Sequence, residues 1–63
     1  MKHRELVKLL ERHGIVLLRH GARHDIYLNP ATGKTQGVPR HKEIKEVLAE
    51  NILTDFGIIW RKP

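Results

Sequence analysis

Two amphipathic segments, each stopped by a glycine, bracket this chain and leave only its middle free to become something else. Leu6, Leu9 and Leu10, with Val7 beside them, repeat at the i, i+3, i+4 spacing of one helical face, and Arg4, Lys8, Glu11 and Arg12 take the other side. Gly14 follows where a left-handed cap closes a helix. The second stripe is Ile44, Val47, Leu48, Ile52 and Phe56. It predicts a helix that starts near Ile44 or Glu46, runs to Phe56 and ends at Gly57. Between the stripes, Ile15–His20 is apolar and opens on β-branched residues, as a strand does. Gly21-Ala22 makes a short turn into a second strand, Asp25–Leu28. The turn formers Asn29-Pro30-Ala31-Thr32-Gly33 then reverse the chain into a third, Lys34–Val38, which Pro39 ends. The order is α-β-β-β-α. Two amphipathic helices cover one face of a three-stranded antiparallel sheet, so the expected fold class is α+β with two layers.

A chain of 63 residues is one domain, 1–63, and buries only about 60% of the surface its unfolded form exposes. With no cysteine it has neither disulfide staples nor a thiolate for zinc or for nucleophilic attack. Ile15–Leu18 is its longest apolar run, against the roughly 20 residues a bilayer span needs, and Met1–Glu5 leads into a charged helix instead of a signal-peptide core. A cytoplasmic protein without membrane association is the expectation. The net charge of +5 is front-loaded: residues 1–24 carry six cations against Glu5 and Glu11, whereas from Lys42 onward the charges balance. Nucleic acid is the polyanion such a field suits, and plain solubility is the alternative. Double-stranded-RNA-binding domains share the α-β-β-β-α order and layering, an analogy of fold alone.

Five histidines invite a metal reading, which spacing removes. His3 and His13 lie at opposite ends of the first helix. His20 and His24 have i, i+4 spacing, but Gly21 breaks any helix between them. Asp25 follows His24 directly, and successive strand residues point to opposite faces, so the two form no dyad. No metal and no cofactor are expected. His24 itself lies just after a tight turn, at the mouth of a hairpin in the basic part of the chain. An imidazole titrates near neutrality and can take a proton from a ribose 2′-hydroxyl for in-line attack on the next phosphorus, while Arg or Lys steadies the developing charge. The other reading is a hairpin histidine that packs beside Ile26.

The motif Gly21-x-x-His24-Asp25-Ile26-Tyr27, then Asn29-Pro30, Gly33-Lys34, Val38-Pro39-Arg40-His41 and Glu43-Ile44-Lys45, resembles the HicA family of toxin–antitoxin toxins. Glu5-Leu6, Leu9-Leu10 and Gly14 before it, and Ile52-Leu53 and Phe56-Gly57-Ile58 after it, extend the resemblance from residue 1 to about 58. It implies the toxin of a type II system: a metal-independent mRNA endoribonuclease, or mRNA interferase, on a double-stranded-RNA-binding-like fold. A HicB antitoxin silences it, and DNA is met only through that antitoxin. The family's catalytic histidine falls on His24. The resemblance departs at Ala22, where the family commonly has Ser, whose hydroxyl either holds substrate or only shapes the turn.

The remaining site candidates each carry two readings. Gly21 serves a positive-φ turn or a close approach of its backbone to RNA. Tyr27 stacks on a base or packs, half-buried, in its strand. Arg19, Arg23, Lys34 and Arg40 are phosphate contacts or solvated charges. The acid for the leaving 5′-oxygen is His20, His41 or water, with His41 otherwise capping or packing at the entry of the second helix. The tail Ile58–Pro63 is a partner surface, tucks against the core, or is flexible over 59–63. A non-catalytic RNA-binding module is the rival function for the whole chain.

Overall fold

A computed structural model describes residues 1–60. Helix α1 spans His3–Arg12, strands β1, β2 and β3 span Val16–His20, His24–Asn29 and Lys34–Pro39, and helix α2 spans Glu46–Asp55. The order is the expected α-β-β-β-α. The strands form one antiparallel sheet in chain order, β1-β2-β3. Gly14 and Gly57, at φ of 77° and 79°, close the two helices as their positions require. Gly33, also at 77°, closes the β2–β3 turn, where the Asn29 carbonyl accepts from Gly33 N at 2.7 Å and the Asn29 side chain from Ala31 N at 3.0 Å. β3 runs one residue further than expected and takes Pro39 as its last residue, where a missing N–H costs no interior ladder bond.

Strand alternation sorts the sheet into two faces. Asp25, Tyr27 and Val38 point to the covered side and join Leu6 and Leu10 of α1, Ala49, Ile52 and Leu53 of α2, and Ile15, Ile44, Phe56 and Ile58 around them. Gln36, opposite Tyr27, donates from Nε2 to Asp55 at 2.9 Å and ties the sheet to α2. His24, Ile26 and Leu28 point the other way, to a face that no described helix covers.

Two sequence expectations are corrected here. The buried face of α2 is Ala49, Ile52, Leu53 and Phe56, whereas Val47 and Leu48 are 69% and 40% exposed. A stripe drawn through the bulkiest residues misses a helix that approaches its sheet through an alanine. Helix α2 also begins five residues after His41, with Lys45 at its N-cap and no side-chain cap, so His41 caps nothing. In the tail, Ile58 is buried, Trp60 packs partly against the core and Ile59 is exposed. Residues 61–63 of that tail lie outside the described residues. No described helix is long and apolar enough to cross a membrane.

Candidate active site

The hairpin between β1 and β2 is built around one irregularity. Val16 and Leu17 pair with Leu28 and Tyr27, but Arg19 and His20 pair with Ile26 and Asp25, so Leu18 is an extra residue in β1. A one-residue insertion flips every side chain beyond it to the other face. Without it Arg19 would stand opposite Asp25. With it, Arg19 joins Ile26 and His24 on the open face, and His20 turns toward Asp25.

His24 is exposed as the first residue of β2 and sits beside a bare stretch of β3. A Cβ placed on Gly37 would lie 3.3 Å from His24 Cβ and 3.6 Å from its Cγ, so the imidazole occupies space that a side chain would need. Gly21 is held closer still. Its N–H donates to the His24 carbonyl at 2.8 Å, and a Cβ there would stand 2.6 Å from that oxygen. The expected positive φ at Gly21 is thus corrected: the glycine is needed for a close backbone approach and does not adopt a left-handed conformation. This turn fixes where the His24 side chain leaves the backbone.

Beneath the turn lies a network that sequence reasoning did not find. Arg40 donates from Nη1 to Asp25 Oδ1 and from Nη2 to the Ala22 carbonyl, both at 2.8 Å. His20 Nδ1 is also 2.8 Å from Asp25 Oδ1. The hydrogen bonds from His20 and then Arg40 hold the Asp25 carboxyl below its usual pKa, against the opposing effect of burial. Arg40 therefore acts as a strap, with a planar fork that joins a buried carboxylate to the loop carrying Arg23 and His24. At position 22 the contribution is a backbone carbonyl, which Ala supplies as well as Ser.

The other predicted site residues scatter. Arg19 shares the face of His24, and Arg23 is exposed in the loop before it. Lys34 pairs with Asn29 at the far end of β2, about 17 Å from His24 at strand spacing, so the two do not meet on one phosphate. Tyr27 is 6% exposed in the core, where burial raises its hydroxyl pKa, and its ring is no platform for a base. It has the packing role. His20 sits on the face opposite His24, and His41 is exposed in the loop beyond β3. Among the described residues no three His, Asp or Glu side chains gather as metal ligands.

The missed partnership has a partial signal in the sequence. Asp25 is the one carboxylate between Glu11 and Glu43, set among cations. A lone buried acid has to find a cation. Which cation depends on the register, and the bulge decides that.

A family model described as the HicA toxin of bacterial toxin–antitoxin systems matches residues 3–58. Searches of curated proteins and of solved structures gave no match. The matched span takes in both helices, all three strands and the whole hairpin mouth. The chain belongs to the HicA toxin family of bacterial toxin–antitoxin systems.

Proposed function

We propose that the chain is an endoribonuclease that cleaves mRNA with His24 as its proton-transfer group, and that an antitoxin of the HicB type holds it inactive. The observation that carries this reading is the seat of His24. An exposed imidazole stands on a fixed turn over a bare glycine, with Arg19 on the same face and Arg23 beside it. In the reaction His24 takes the proton of a ribose 2′-hydroxyl, the 2′-oxygen attacks the adjacent phosphorus, and the P–O5′ bond breaks. Arg19 and Arg23 stabilise the charge that builds on the non-bridging oxygens. The products are a 2′,3′-cyclic phosphate and a 5′-hydroxyl. The orientation of His20 toward Asp25 and the place of His41 beyond Pro39 favour water as the donor to the 5′-oxygen. The step needs no metal, because side chains supply both the proton transfer and the charge stabilisation.

The cytoplasm, where mRNA is translated, is the compartment for this activity. An acidic antitoxin is the fitting inhibitor, since opposite fields speed association and a cover over the open sheet face removes His24 from solvent. The test is the chain purified free of its partner. His24→Ala is expected to fold, to keep most of its RNA affinity, and to lose about 10²- to 10⁴-fold in cleavage rate together with growth inhibition. Wild-type protein that leaves mRNA intact across the pH range, or a His24→Ala variant that cleaves as fast, overturns the reading. A non-catalytic RNA-binding module would then remain.

A further inference from the structure

Arg40 also lines a cleft of about 550 Å³ between the start of α1 and the loop that joins β3 to α2. Lys2, His3 and Arg4 line it from one side, Arg40, His41 and Lys42 from the other, and Glu43 is the single carboxylate among them. We propose that this cleft is a second RNA-backbone site, which binds successive phosphodiesters of the strand whose scissile phosphate lies at His24. The RNA identity of the ligand rests on the function proposed above; the anion preference of the cleft does not.

Four observations support the site. Cations crowd the end of α1 where the helix dipole is already positive, an arrangement that disfavours the free protein and that a bound anion relieves. Helix α1 has Lys2 at its N-cap with no side-chain cap, and Glu5 is the one acidic residue of its first turn. Next, His3 Nε2 is buried and has no hydrogen-bond partner among the described residues, although His3 lines the cleft. A buried polar atom in that state is costly, and a turn of the ring toward the cleft would let a ligand there meet it. The two rims are also fixed to each other. His3 N donates to the Lys42 carbonyl at 3.0 Å, Ile44 N to the Met1 carbonyl at 2.8 Å, and Lys2 and Glu43 form an antiparallel bridge. The cleft is therefore preformed. Finally, Arg40 belongs to both places, lining the cleft while its guanidinium holds the Ala22 carbonyl two residues before His24. A strand bound at both places passes around the end of the sheet, since His24 faces its open side and Asp25, which holds Arg40, its covered one.

The experiment uses the full chain with His24→Ala, so that RNA survives the measurement, and a short single-stranded oligoribonucleotide as probe. Affinity is followed against salt. Removing Lys2, Arg4 and Lys42 together by substitution to Gln is expected to flatten the slope of log K against log salt by about 2, from about 0.7 per lost phosphate contact on a single strand. Arg4→Gln alone is expected to flatten it by about 0.7, and Arg12→Gln, at the other end of α1, to leave it nearly unchanged. A second measurement needs no cleft variant. On titration with the same RNA, amide resonances of residues 2–4 and 40–42 should shift and saturate together with those of residues 21–24. An unchanged slope in the triple variant overturns the proposal, as does an Arg12→Gln effect equal to that of Arg4→Gln. Shifts confined to the hairpin mouth overturn it too. If the triple variant keeps its RNA slope but loses antitoxin binding, the cleft belongs to the protein partner and the proposal falls. Wild-type chain that fails to cleave while the cleft variants flatten the slope removes the catalytic reading and leaves the cleft standing.

Discussion

Asp25 shows how far one side chain reaches. Its carboxylate lies on the covered side of the sheet, yet through Arg40 it sets the Ala22 carbonyl and so the loop that presents His24. Asp25→Asn is expected to lower the cleavage rate at saturating RNA more than it weakens RNA binding, because it disturbs the placement of His24 and removes no phosphate contact. Single-turnover cleavage and binding of the same RNA separate the two effects. Arg40→Lys should not restore the wild-type rate, since an ammonium cannot span both acceptors as the planar fork does. The acid response follows from the same pair of hydrogen bonds. Because the folded pKa of Asp25 is lowered from 3.8, its contribution to stability is present above that value and is lost as pH falls through the lowered one. In thermal melts, wild type should exceed Asp25→Asn at neutral pH, and the gap should close in the acid range below pH 3.8. Strand alternation was enough to read from sequence that His24 and Asp25 face apart. It could not show Arg40 meeting Asp25, since that depends on two strand registers at once.

Among the elements, α2 and β1 best separate what pattern reveals from what packing decides. All five elements were legible because glycines and turn formers mark their ends. The face of α2 was not, because Val47 and Leu48 fit the period as well as Leu53 does until Ala49 is seen against the core. Leu53→Ala is therefore expected to cost about 2–5 kcal/mol, as other emptied core sites do. Leu48→Ala, at a half-exposed position, should cost under about 1 kcal/mol by area. Chemical denaturation of the two variants checks the assignment. In β1 the run Val16-Leu17-Leu18 reads as apolar strand, and strand it is, but each of the three is 44–49% exposed. Its place at the sheet edge accounts for the exposure, and the Leu18 bulge could not be counted from composition. Leu18→Lys is expected to reduce self-association of the free chain, seen by sedimentation, with a melting temperature close to wild type, because charge on an edge strand blocks edge-to-edge pairing.

At the scale of the whole molecule, the charge distribution and the open sheet face carry the proposed function while a small core carries the fold. A chain this short has little stability in reserve. Any partner that binds only the folded form stabilises it, by about 2.7 kcal/mol when free ligand is at 100 times Kd, and so raises its apparent melting temperature. The toxin is accordingly expected to melt higher in complex with its antitoxin than alone, which calorimetry on both samples checks. The order of the strands bears on how such a free sample is obtained. Because β1, β2 and β3 are neighbours in space in the order in which they occur in the chain, the sheet closes as two successive local hairpins with no crossover to wait for. Such topologies fold quickly for their size, since little loop entropy is lost before contacts form. Free toxin diluted out of denaturant is therefore expected to regain its sheet quickly, without a partner present as template.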